Sequence, residues 1–268
     1  MPGKKQDEQT KKKITFLDDR ILSLQEQLEE IANIRFVFTA FFILTICFIL
    51  FVTILTFIRR AIYPAQFWIS VICLPLYIIM GAVSLRSINK FYRRTKESYN
   101  IAKKERQAER IVQDYLRNNL TEDYKLFENI YTGFGDIDSI VVGPTGIYMI
   151  EVKSNSGVIT SNKENHLLIL EGDPATKNYR EQVKKELGQL KKYLDNNTGL
   201  NCWINPVLVF PFGSVIKDLQ LESKFDNFIL PVLNEKDLLK YIYSNNRNAQ
   251  LTSEQINKIT KAIEEWQE

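Results

Sequence analysis

Uncharged stretches and recurring apolar positions divide the chain before any single residue matters. Residues 36–58 (FVFTAFFILTICFILFVTILTFI) and 61–85 contain no Asp, Glu, Lys or Arg. At helical rise, each is long enough to cross a hydrocarbon core of about 30 Å. Only Arg59 and Arg60 separate them, so the pair reads as a tight helical hairpin. Pro64 and Pro75 are tolerated in such a helix when neighbours satisfy the freed backbone groups. Buried helices of a soluble fold, or a signal peptide for the first run, are the alternatives; two adjacent runs favour the spans. Upstream, Ile14, Leu17, Ile21, Leu24, Leu28 and Ile31 recur at spacings of three and four, an a/d heptad seam. The seam fits either a short parallel coiled coil joining two copies through residues 14–31 or an amphipathic helix.

Beyond residue 100 the pattern changes to that of a soluble domain. Ala108, Ile111, Val112, Tyr115 and Leu116 make one apolar stripe on a helix ending near Asn119. Strands are expected at 138–142, 147–153, 166–170, 203–210 and 228–232. Helices are expected at 178–196, with Val183, Leu187, Leu190 and Leu194 inward, and at 235–243 and 253–266. This order predicts an α/β fold with a mixed sheet flanked by helices on both faces. The expected divisions are a tail with the heptad helix (1–34), two spans (36–58 and 61–85), a basic juxtamembrane linker (86–100) and a domain at 100–268.

Charge orients the hairpin. Arg86, Lys90, Arg93, Arg94, Lys96, Lys103, Lys104 and Arg106 follow the second run, and Arg20 and Arg35 precede the first. The positive-inside rule then puts both termini in the cytoplasm of a multi-pass cell-membrane protein. The basic stretch reads as a membrane flank near anionic headgroups. The net charge of +3 is too small to argue for nucleic acid by itself. Three cysteines without metal spacing and a single histidine, His166, leave no disulfide framework and no zinc site, and argue against a histidine triad.

The candidate chemistry lies in one hairpin. Asp138-Ser-Ile-Val-Val142 runs into the turn Gly143-Pro-Thr-Gly146 and returns as Ile147-Tyr-Met-Ile-Glu151-Val-Lys153. A regular closure sets Val142 against Ile147, Ile140 against Met149, and so Asp138 against Glu151, with Lys153 on the same face. Opposed carboxylates about 5 Å apart repel unless something compensates. A divalent cation such as Mg²⁺ (or Mn²⁺) would do so, completed by water and phosphate oxygens. Lys153 could then hold an attacking water or counter charge developing on phosphate. An acidic pair on a solvated strand, neutralised by Lys153, is the plain alternative. Glu109 borders the apolar stripe of the preceding helix, and Gln182 lies near the start of the 178–196 helix. Both types are commonly just solvated.

At these residues the sequence resembles the NERD family, the nuclease-related domain of the PD-(D/E)XK superfamily. The resemblance runs through Gly135-Asp-Ile-Asp138, the turn, Glu151-Val-Lys153 and Gly157-Val-Ile, with Ala108-Glu109-Arg-Ile-Val112 upstream and Asn178-Tyr-Arg-Glu-Gln182 downstream, over about residues 100–215. It implies a restriction-endonuclease-like core, Asp138 and Glu151 as Mg²⁺ ligands, Lys153 as the catalytic lysine, and Glu109 and Gln182 as supporting residues. Ser139 stands where family members often carry His. The function implied is metal-dependent hydrolysis of phosphodiester bonds, DNA ahead of RNA, at the cytoplasmic membrane face. A catalytically silent, membrane-tethered module binding nucleic acid or protein is the alternative.

Overall fold

The computed structural model describes residues 16–59, 64–132, 136–161, 167–170, 172, 178–216, 219–223, 226–244 and 250–267. The polar segment 1–13, Ile14, Arg60, Gly135 and His166 lie outside the described residues. The chain divides into two units, Met1–Lys103 and Lys104–Glu268.

The first unit is helical. Helix α1 spans Phe16–Ile58 and helix α2 spans Pro64–Asn119, the latter with Pro75 inside it. Both are long and apolar enough to cross a membrane. Phe36, Phe41, Leu44, Phe48, Ile72, Leu76 and Met80 point outward and are exposed, an apolar surface suited to lipid rather than water. The inward faces meet. Phe42 stacks on Tyr77 with ring centroids 5.1 Å apart, and Arg35 lies 5.8 Å from the Tyr92 ring centre, which fixes an antiparallel hairpin. Gly81 is the point of closest approach, because a Cβ there would lie 1.9 Å from the Phe42 ring. Small residues allow such contact between apolar helices. Gly81→Leu is therefore expected to destabilise the hairpin by about 2 kcal/mol, seen as an earlier loss of helical circular dichroism on heating in detergent.

Two details differ from the sequence reading. Residues 86–100 are helical throughout as part of α2, where a linker was expected. The charges there are strong helix formers, and no Gly or Pro occurs between Val83 and Asn119. The heptad positions Leu17, Ile21, Leu24, Leu28 and Ile31 are the half-covered or buried positions of α1, so the seam is partly occupied within one chain.

The second unit is built on a six-stranded mixed sheet. Its strands are β1 (Lys125–Tyr131), β2 (Asp136–Gly143), β3 (Gly146–Val152), β6 (Ile204–Val209), β8 (Gln220–Ser223) and β9 (Asp226–Leu233), in the order β1-β2-β3-β6-β9-β8. β1, β2 and β3 are antiparallel neighbours, β3–β6 and β6–β9 are parallel, and β8 returns antiparallel to β9. A smaller sheet orders β5 (Leu167–Leu170), β4 (Gly157–Ser161) and β7 (Gly213–Val215). The other helices are α3 (Tyr179–Thr198), α4 (Glu235–Ser244) and α5 (Ser253–Gln267).

Alternation along the strands separates two cores. Ile140, Val142, Ile147, Met149 and Leu208 face α3 and α5 through Val183, Leu190, Leu194, Ile259 and Ile263. Val141, Tyr148, Ile150, Val207 and Val209 face the end of α2 and α4 through Ala108, Val112, Leu116, Leu238 and Ile242. The expected mixed sheet with helices on both faces is thus what the chain forms. β3 is buried at all seven of its residues, as befits a central strand covered on both sides.

Candidate functional site

The hairpin that carries the acids closes in the expected register. Val142 pairs with Ile147, Ile140 with Met149 and Ser139 with Ile150, and pairing extends one step into the turn, at Gly143–Gly146. Gly146 has φ 131°, a conformation side chains resist. Tyr124 packs over Gly143 so closely that a Cβ there would lie 2.1 Å from its ring. The turn is thereby fixed, and with it the spacing back to Asp138 and Glu151.

Asp138 and Glu151 lie where the β2–β3 ladder ends, one step past its last pair. Period two turns both toward α3, the face of Ile140 and Met149. The Asp138 carboxylate accepts a 2.7 Å hydrogen bond from the Val152 N–H. Glu151 is buried, at 3% exposure, and its Oε1 accepts from Lys153 Nζ at 2.5 Å and from Gln182 Nε2 at 2.9 Å. Lys153 also lies 5.1 Å from the centre of the Tyr179 ring, whose hydroxyl donates to Asn155. The ladder to β6 continues through the Lys153 N–H, which donates to the Val209 carbonyl and so holds the lysine backbone.

Gln182 reaches Glu151 because α3 starts where it does. Asn178 caps the helix by accepting from the Glu181 N–H, and Gly199 ends it in the left-handed conformation. Gln182 is then in the first turn, beside the sheet end. Glu109 comes from the last third of α2. Arg106 donates to its Oε2 at 3.1 Å, and both side chains are 13% exposed. Glu109 hydrogen-bonds neither Asp138 nor Glu151, but each of those carboxylates shares its electrostatic surroundings. All five expected site residues are thus gathered at one end of the sheet.

The charge there is unbalanced. Burial, then the charges of Glu151 and Glu109, push Asp138 well above the ordinary carboxylate range. Burial raises Glu109 to about 7 against the opposing pull of Arg106. Burial and Glu151 raise Asp136, also on β2. Burial alone would lower Lys153, but Glu151 and Asp138 outweigh it and hold the ammonium above its usual value. Glu151 Oε2 is buried with no N–H or hydroxyl donor on it.

Several residues of this end were not anticipated. Glu186, one turn beyond Gln182, is buried and raised to about 8 by burial and by Glu151. Gln113, one turn beyond Glu109, donates to the Asp138 carbonyl at 3.1 Å and to Asn129 Oδ1 at 3.2 Å. Arg106 also donates to Asn129, which holds φ 54° within β1. The i, i+4 spacing puts Glu186 on the face of Gln182 and Gln113 on that of Glu109, but it does not say that those faces are buried at the sheet end. Asn129 had no such signal, because β1 itself was not expected.

The donor set is all oxygen, with an orphaned carboxylate oxygen and a surplus of negative charge. Those are terms on which Mg²⁺ or Mn²⁺ fits. Among the described residues no three His, Cys, Asp or Glu side chains are close enough to form a cage alone. Mg²⁺ seldom takes such a cage and usually keeps water and phosphate in its shell.

The family model of the nuclease-related domain, NERD, matches residues 104–211. Comparison with curated proteins gives no match, and comparison with solved structures gives none. The match contains Glu109, Asp138, Glu151, Lys153 and Gln182, and with the mixed sheet beneath them it gives the relationship: over residues 104–211 the chain carries a region similar to the nuclease-related domain family.

Proposed function

We propose that this chain is a membrane-anchored, divalent-cation-dependent nuclease that hydrolyses phosphodiester bonds, in DNA ahead of RNA, at the cytoplasmic face. The observation that carries the reading is the meeting of Asp138, Glu151 and Lys153 at one end of the sheet, with Gln182 bonded to the same glutamate. Asp138 and Glu151 are the residues that would hold Mg²⁺ or Mn²⁺. When bound, the cation would supply Lewis-acid polarisation of the phosphate and activation of the attacking water. Lys153 contributes a fixed positive charge beside Glu151, positioned to face charge that builds on the phosphate oxygens. Gln182 fixes the rotamer of Glu151. Gln113 holds the Asp138 backbone from below, so that its carboxylate does not swing away.

Two helices long and apolar enough to cross a membrane support the anchoring. The excess of Lys and Arg outside the hairpin supports cytoplasmic termini.

The test is cleavage of single- and double-stranded DNA and RNA by the full chain in detergent, with Mg²⁺ or with EDTA. Cleavage is expected only with Mg²⁺, and Asp138→Ala and Lys153→Ala are each expected to reduce it by about 100-fold or more. Nucleic-acid binding that persists in all three proteins, with cleavage in none, would instead identify a silent binding module.

A further inference from the structure

Glu186 is a buried acid for which the proposed reaction has so far named no task. It lies on α3, one turn after Gln182, and is 8% exposed. Its Oε1 accepts from Gln182 Nε2 at 2.9 Å, and the same nitrogen donates to Glu151 Oε1 at 2.9 Å. The two accepting oxygens are therefore at most twice that distance apart. The remaining oxygens, Glu186 Oε2 and Glu151 Oε2, are both buried with no N–H or hydroxyl donor on them, and the two carboxyls are close enough to share a proton. One neutral amide is thus shared between two carboxylates, each with a buried oxygen that no such donor meets. A buried acceptor without a partner costs about 1–3 kcal/mol, and more when charged. A purely structural acid at this point would be better replaced by glutamine or leucine.

We infer that Glu186 is a further cation-holding residue of this site, gripping, through water, the divalent ion that Glu151 binds. The inference rests on the cation-dependent reading above and adds, behind the acids of β2 and β3, an acid from α3 that holds the ion's water. Among the described residues no three acids lie close enough to cage an ion, so Glu186 would reach it through a water of the Mg²⁺ shell. It also gives Gln182 a second purpose. By bonding one oxygen of each acid, its amide leaves the other oxygen of each available to the ion and its water.

The experiment is Mn²⁺ binding to the full chain in a non-ionic detergent, read from the loss of the free-ion paramagnetic resonance signal. Glu186→Gln keeps the size of the side chain and its acceptor for Gln182, and replaces the other oxygen with an amide nitrogen that cannot hold a cation or its water as a carboxylate does. It is expected to weaken Mn²⁺ binding about ten-fold or more and, in EDTA, to raise the melting temperature. Glu181→Gln, on the exposed side of the same helix, is expected to leave binding unchanged. If the wild type binds Mn²⁺ and Glu186→Gln binds it within two-fold, Glu186 holds no cation and the inference fails while the cation-dependent reading stands. If the wild type binds no Mn²⁺ at millimolar concentration, that reading falls and takes the inference with it. Should Glu186→Gln not fold, Glu186→Asp decides: weakened binding supports the role, and unchanged binding overturns it.

Discussion

Replacing Lys153 with Met is expected to destabilise the protein by about 3 kcal/mol in EDTA at pH 8, as well as to remove cleavage. Glu151 is 3% exposed, and Lys153 is the cation bonded to it, at 2.5 Å. The lysine side chain is itself only 17% exposed, so the pair is not screened as a surface pair would be. Deleting one partner leaves a carboxylate in a dry pocket beside Asp138 and Glu186, with the Gln182 amide as its remaining donor. Methionine matches the length of the stem, so the loss reports charge rather than packing. In a unit of this size the shift in melting temperature is roughly 6–12 °C. Mg²⁺ is expected to recover part of it, because an ion that binds only the folded state at 100 times its Kd adds about 2.7 kcal/mol. A variant that melts within a degree of the wild type in EDTA would show that the buried charges are already neutral, and the electrostatic account of the site would fail.

In EDTA the wild-type chain is expected to lose stability as pH rises from 5 to 8, and to lose far less with Mg²⁺ present. Glu186 is held at about 8 and Glu109 at about 7, both from an ordinary value of 4.5. The folded state therefore keeps protons that the unfolded chain releases near pH 4.5. Where the folded state binds more protons, stability falls with rising pH. The stabilising contribution is complete below about pH 4.5 and is lost as pH passes through 7 to 8. This opposes the usual behaviour of paired surface carboxylates. Burial raises these groups first and the charge of Glu151 adds to it; a divalent cation favours their ionised forms, so it flattens the slope. Thermal midpoints at pH 5, 6, 7 and 8, with EDTA and with Mg²⁺, check the sign. A rise in midpoint with pH in EDTA would mean that the acids are not crowded in the folded protein.

The hairpin was legible because two independent signals agree in it. The Gly-Pro-Thr-Gly turn sets the register, and the apolar alternation says which face is which. From these the placement of Asp138, Glu151 and Lys153 follows without any long-range information. Strand β1 was not legible. Its buried residues Phe127 and Ile130 are three apart rather than two, and Asn129 between them takes the left-handed conformation. A period-two test fails on such a strand. β4 and β7, at 5 and 3 residues, are too short for any periodic test and are defined by pairing with each other. Glu186 was not singled out, because a helical wheel cannot tell the border of a sheet end from open water. Its position depends on how far α3 reaches past β3, which is a tertiary fact.

The central strand also imposes an order of events on synthesis. β3 is buried along its whole length, and its parallel partner begins 57 residues downstream, from Ile147 to Ile204. At ribosomal speeds of about 5–20 residues per second, β6 emerges roughly 3–11 seconds after β3. For that interval the Val- and Ile-rich flank of the β2–β3 hairpin has nothing to pair with, and an unpaired apolar edge invites association with other chains. Nascent chains stalled between residues 153 and 203 would therefore be the species that quality-control machinery must catch.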